Sequence, residues 1–108
     1  MKKTDQPGGL EMTTFKLTKG NSYKEFIAAN ADVDQWLKMQ PGFRFRHIAQ
    51  KPDGTIIDAL IWNSEANGTN AMHRLMTELA DSPVHDTIDQ GTVSWNIYPV
   101  YHQLPDVE

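Results

Sequence analysis

Gln40-Pro41-Gly42-Phe43-Arg44-Phe45-Arg46-His47-Ile48-Ala49-Gln50-Lys51-Pro52-Asp53-Gly54-Thr55-Ile56-Ile57-Asp58-Ala59-Leu60-Ile61-Trp62-Asn63-Ser64 is the stretch that decides the fold. Pro41 and Gly42 stop a helix, because proline disfavours helical geometry in the residue before it and glycine suits the position just past a last turn. Phe43 to Gln50 then reads as a strand, and Thr55 to Asn63 as a second one. Between them, Pro52-Asp53-Gly54 suits a type I turn followed by a left-handed glycine, a common three-residue hairpin loop. The register stays open at this level. A three-residue loop sets Arg44 opposite Trp62, whereas a two-residue Asp53-Gly54 turn sets Phe45 there. Ser64-Glu65 starts the next helix, so a β-hairpin is held between two helices.

The flanking sequence completes the order of elements. Leu10 to Thr18 mixes apolar and β-branched residues and is closed by Lys19-Gly20-Asn21, which makes it the first strand. Ser22-Tyr23-Lys24-Glu25 is a capping box, with Ser22 as N-cap and Glu25 reaching back to it. Helix one runs from about Tyr23 to Met39, with Phe26, Ile27, Val33 and Leu37 on one stripe and Asn30 on the same inward side. Helix two carries Met72, Leu75, Met76 and Leu79 as its stripe, while Asn67-Gly68-Thr69-Asn70 weakens its first turn. Ser82-Pro83 opens a short helical piece that ends near Gly91. Thr92 to His102 is the last strand, and Pro99 within it suits a sheet edge.

Strand, helix, strand, strand, helix, strand is the split β-α-β order of a ferredoxin-like α+β domain (βαββαβ): four antiparallel strands with two main helices on one face. Residues 10–102 form this single domain, residues 1–9 a flexible lead-in and residues 103–108 a tail. On the third strand Ile57, Ala59 and Ile61 alternate with Ile56, Leu60 and Trp62, so both faces are apolar and both need cover. The helices cover one. A second copy of the chain is the simplest cover for the other, so a homodimer paired into an α/β barrel is expected.

Composition removes several function classes. With 108 residues and 12.2 kDa there is room for one modest core. A formal net charge of −4 argues against nucleic-acid binding, which needs a basic surface. The absence of cysteine excludes disulfides and thiolate chemistry. No apolar run approaches the roughly 20 residues of a membrane helix. Lys2 and Lys3 have no apolar stretch behind them, unlike a signal peptide, so a cytoplasmic location without membrane partners is expected.

Pro41-Gly42-Phe43, then Arg46, Asp58 and Trp62-Asn63-Ser64-Glu65-Ala66, resemble the dimeric α/β-barrel superfamily, in particular its antibiotic-biosynthesis-monooxygenase-like branch. The resemblance spans about Leu10 to Tyr101 and is sharp over the hairpin and the start of helix two. It implies the ferredoxin-like fold and a pocket between sheet and helices. Activity follows from fold far less directly, since the superfamily includes cofactor-independent monooxygenases, haem-degrading enzymes and isomerases. Quinol-oxidising members place an asparagine and a tryptophan four residues apart on the third strand, positions that match Asp58 and Trp62. An aspartate keeps acceptance and loses the amide donors. A tyrosine expected soon after the tryptophan is replaced in the region of Gly68. Haem-degrading members need a helical histidine beside a tryptophan; no such pair exists here, so no haem and no other cofactor are expected.

Asp58 and Trp62 share a sheet face, and two readings compete for them. Either they form a pocket with an aromatic wall and a carboxylate that takes a proton, or Trp62 is core and Asp58 pairs with Arg44 or Arg46. His73 borders the apolar stripe of helix two, where it could act as a base or simply satisfy a backbone carbonyl. His85 lies four residues before Asp89, as a dyad or as an ordinary helical pair. Asn30, an inward amide, must find partners in ligand or in neighbouring chain. Tyr23, Trp95, Tyr98 and Tyr101 read as core or dimer-contact aromatics. His47 and His102 have no ligand partner at recognisable spacing, and no metal is expected.

The resulting expectation is a dimeric enzyme, a cofactor-independent monooxygenase acting on a small aromatic or enolic molecule. Trp62 gives the stacking surface, Asn30 and His85 contact substrate, Asp58 or His73 accepts the proton, and Arg46 steadies negative charge. The alternative is a non-catalytic dimeric module, stress-associated or otherwise, that binds a small hydrophobic molecule; a scaffold with a degenerate site is a third.

Overall fold

The structure is a computed structural model that describes residues 8–105. Its elements are β1 (Gly8–Phe15), α1 (Tyr23–Ala29), α2 (Ala31–Lys38), β2 (Phe43–Gln50), β3 (Ile56–Trp62), α3 (Glu65–Glu78), α4 (Val84–Thr87) and β4 (Ser94–Val100), with a 3-10 turn at Gln90–Thr92. The strands form one antiparallel sheet in the order β2-β3-β1-β4, the ferredoxin-like α+β arrangement. β1 begins at Gly8, inside the expected lead-in. The rest of that lead-in and the last three residues of the expected tail lie outside the described residues.

The hairpin has the three-residue loop: Lys51 N donates to the Thr55 carbonyl at 2.8 Å, and Gly54 takes φ +92°. This loop pairs Arg46 with Leu60 and Ile48 with Asp58. A bulge between Phe43 and Phe45 then sets Phe43 opposite Trp62, so neither register drawn from the turn alone holds to the strand's end. Phe43 meets the Trp62 indole edge-on, with centroids 5.5 Å apart.

Helix one is two helices. The capping box forms as read, with Ser22 N donating to Glu25 Oε1 at 2.7 Å and Glu25 N to Ser22 Oγ at 3.2 Å. The break comes at Asn30, whose amide nitrogen bonds the Ile27 carbonyl while its side chain donates to the Phe26 carbonyl at 2.8 Å. The side chain thus takes the acceptor that a continuing helix would give to the backbone. The break also resets the helical phase. Ile27 is exposed, and Trp36, absent from the expected stripe, is buried with its indole N–H on Glu78 Oε1 at 2.8 Å.

Phe26, Ile56 and Trp62 are the deepest apolar side chains, and they lie between the helices and the inner sheet face. On the opposite face Leu10, Met12, Phe45, Ile57 and Ile61 are only partly buried, and Tyr98 is half exposed. The helices leave this apolar surface uncovered. Among the described residues no helix is long and apolar enough to cross a membrane.

Candidate functional site

Strand alternation sends every second side chain of each strand toward the helices. On β1 these are Glu11, Thr13 and Phe15; on β3, Asp58, Leu60 and Trp62; on β4, Trp95; on β2, Arg46. All of them line a cavity of about 360 Å³ between sheet and helices. Asn30, Trp36, Ala71, Met72 and His85 close it from the helical side. Met76, Gln90 and Val93 also line it and are exposed, which puts its mouth between the end of α3 and the turn before β4.

Glu11 is the chemically distinctive member. Its side chain sits on the central strand, between Leu60 of β3 and Ile97 of β4, and is 5% exposed. Trp62 Nε1 donates to Oε1 at 2.8 Å and Trp95 Nε1 to Oε2 at 2.7 Å. Burial pushes the Glu11 carboxyl above its ordinary range, the two indole hydrogen bonds pull it partly back, and the nearby charges oppose each other, Asp58 adding to the rise and Arg46 reducing it. A desolvated carboxyl of this kind is a better proton acceptor than one in water.

Arg46 and Asp58 form the second cluster. Nε and Nη2 of Arg46 donate to the two oxygens of Asp58 at 3.0 and 2.7 Å, a bidentate pair. Nη1 reaches Asp34 at 2.8 Å, and Nη2 also reaches Asn30 Oδ1 at 2.8 Å. Burial pulls the guanidinium's pKa down, but the hydrogen bonds and charges of Asp58 and Asp34 outweigh it and raise it. The cluster ties the break between α1 and α2 to the sheet. Glu11 and Asp58 together face one buried cation, so the cavity wall is acidic on balance.

The structure therefore gathers Asn30, Arg46, Asp58, Trp62 and His85 around one cavity and separates His73 from it. His73 is exposed and does not line the cavity, because the inward face of α3 is carried by Gly68, Ala71, Met72 and Leu75. Asp58 reaches the cavity as the partner of Arg46, with both oxygens engaged. Arg46 has its charge matched by two carboxylates, which weakens it as a clamp for developing negative charge. His85 Nε2 bonds the Leu79 carbonyl at 2.8 Å, while Asp89 accepts from Gly91 N at 3.2 Å; the two form no ion pair among the described residues. Among those residues no group of three or more histidines and carboxylates is placed to hold a metal ion.

Sequence reasoning missed Glu11, and it read Trp95 only as a packing aromatic. The available signal was a lone acid among apolar and β-branched residues, in phase with Thr13 and Phe15 and so inward. Gly68 also gains a reason: a β-carbon there would lie 2.8 Å from Trp62 Cδ1 and 2.5 Å from Ile97 Cδ1. The position is glycine because the indole of Trp62 lies against the helix.

No family model and no curated protein matches the sequence. Solved structures do share its fold. The cofactor-independent oxygenase SnoaB from Streptomyces nogalater superposes with a TM-score of 0.70 at 14% identity, over 93% of this chain and 99% of that one. A dimeric ferredoxin-like protein from an uncultured marine organism gives 0.67 at 12%, over 95% and 96%. A monooxygenase from the gene ActVA-Orf6 of Streptomyces coelicolor, in complex with nanaomycin D, gives 0.62 at 16%, over 94% of each chain. The chain has the fold of antibiotic-biosynthesis-monooxygenase-like ferredoxin-fold proteins, as the hairpin residues implied.

Proposed function

We propose that this chain is a homodimeric, cofactor-independent monooxygenase-like enzyme that takes a small aromatic or enolic molecule into the cavity behind Trp62. The observation that carries the reading is Glu11: a desolvated carboxyl, suspended from two indole N–H groups, in the wall of a cavity lined by aromatic rings. Glu11 takes the place given from sequence to Asp58 or His73 and accepts the proton of a phenolic or enolic hydroxyl. The electron-rich anion left behind adds dioxygen at carbon to give a peroxide, which takes the proton back from Glu11 and loses water to leave a ketone. The substrate itself supplies the electrons, so the protein need only bind, move the proton and exclude bulk water. Trp62 and Trp95 hold the base in place, and the Arg46–Asp58 pair keeps α1, α2 and the sheet in register around it. A second copy covers the partly buried outer face of Leu10, Phe45 and Ile61. The shared fold with an oxygenase described as cofactor-independent supports this reading.

Oxygen uptake with a panel of quinols and anthrone-like enols tests it. A responsive substrate is expected to lose turnover about a hundredfold or more in Glu11→Gln, the usual scale of general-base loss, and to be indifferent to His73→Ala. Full turnover in Glu11→Gln overturns the base assignment.

One observation favours a second reading, a non-catalytic dimeric binding module. Every buried polar side-chain atom among the described residues already has a hydrogen-bond partner. Tight binding of a panel member with no oxygen consumption selects that reading over the enzyme.

A further inference from the structure

We propose that the cavity selects its ligands by charge: it accepts small aromatics that offer a hydroxyl or amino hydrogen to Glu11 and rejects aromatics that carry a carboxylate or another anion. This rests on the reading of the cavity as a ligand site and names the class of ligand it takes.

Around the cavity, acceptors outnumber free donors. An ionised carboxylate has about four acceptor positions and no donor. Glu11 uses one on each oxygen, for Trp62 and Trp95, so acceptor capacity remains beside the cavity. Asp58 likewise receives Arg46 Nε and Nη2. The indole, guanidinium and His85 Nε2 donors that would greet an anion are committed elsewhere, and Thr13, which also lines the cavity, offers only a neutral hydroxyl. The indole N–H groups of Trp62 and Trp95 are on Glu11, and that of Trp36 is on Glu78. Arg46 is the one permanent cation among the described lining residues, and Asp58 at 2.7 Å and Asp34 at 2.8 Å balance it. His85 Nε2 is held by the Leu79 carbonyl. A buried anion entering this space meets the carboxylate of Glu11 with no free cation to offset it, which is costly in a desolvated site. A neutral donor instead gains a hydrogen bond to a charged acceptor, the stronger kind.

Calorimetric titration near neutral pH with naphthalene, naphthol and naphthoate tests this, because the three share one ring system and differ in charge and donor. Naphthol is expected to bind best, and naphthoate about tenfold more weakly or worse than naphthol, as a buried like-charge contact dictates. Glu11→Gln removes the charge and should narrow the gap between naphthol and naphthoate to about threefold or less. If naphthoate binds the unmodified protein as tightly as naphthol, the charge selection is wrong while the cavity remains a ligand site. A gap unchanged in a folded Glu11→Gln variant also overturns it, since Glu11 is then not its source. If none of the three binds, the ligand-site reading falls and the selectivity falls with it. The comparison within the unmodified protein decides the matter even if the variant fails to fold.

Discussion

Trp95 Nε1 donates to Glu11 Oε2 at 2.7 Å, joining the edge strand β4 to the central strand across 84 residues of sequence. Trp62 completes the arrangement from the other side, 51 residues from Glu11. Trp62 is fully buried and Trp95 partly so, and each turns its one polar atom onto the carboxylate, so the acid is positioned from both neighbouring strands of the sheet.

Glu11 makes stability depend on pH in a direction opposite to that of a salt-bridged acid. Its folded pKa is raised above the ordinary value of 4.5, chiefly by burial. Between the unfolded and folded values the folded chain binds more protons than the unfolded one. Stability is therefore greatest below the unfolded value, falls as pH rises through the window, and carries the full penalty above the folded value. Urea unfolding of the unmodified protein and of Glu11→Gln across the acidic to neutral range isolates this contribution. The stability of the unmodified protein relative to the variant is expected to decline steadily as pH rises; a flat difference contradicts the desolvation of Glu11.

Asp58→Ala is expected to destabilise the protein by about 3 kcal/mol, because it leaves the Arg46 guanidinium buried with only Asp34 and Asn30 beside it. The double change Arg46→Met with Asp58→Leu should cost clearly less than the sum of the single changes. Denaturant midpoints in a double-mutant cycle measure the coupling. Additive single costs would mean that the bidentate pair does not hold this wall.

Gly68→Ala sets two effects against each other. Alanine favours a helix by about 1 kcal/mol over glycine. The added methyl, however, meets Trp62 Cδ1 at 2.8 Å and Ile97 Cδ1 at 2.5 Å, and the Trp62 ring is fully buried. Overpacking of that kind costs about 1–3 kcal/mol, so net destabilisation with a shifted tryptophan emission is expected. A stabilised variant with unchanged emission would show that the indole does not sit against the helix.

Ile61→Lys tests the uncovered face. Ile61 lies between Leu10 and Phe45 on the side of the sheet away from the helices. Sedimentation should find the unmodified chain dimeric and the variant shifted toward monomer, because a charge at the centre of an apolar contact is costly. A stable monomer in the unmodified protein contradicts the pairing.

Local spacing alone determined the order of strands and main helices, the capping box at Ser22, a hairpin turn at Pro52-Asp53-Gly54 without its register, and the two-faced third strand; the break at Asn30 was not part of it. Each depends on residues within a turn or a strand of one another, where backbone geometry and burial periodicity are strong constraints. It also put Asp58 and Trp62 on one sheet face and Asn30 on the inward side of helix one, since strand phase and helix phase are local properties. The face of Arg46 waited on the hairpin register, and His73, set toward the cavity by helical phase, is exposed. What Asp58 and Arg46 do there was decided by contact: paired to each other, they keep little charge for a substrate. The role of Glu11 was equally beyond local reading. Its burial, its two indole partners and its raised pKa come from β3 and β4, through a pairing register that no stretch of β1 encodes. A carboxyl's chemistry is set by the solvent and donors around it, and here those are supplied by residues 51 and 84 positions away.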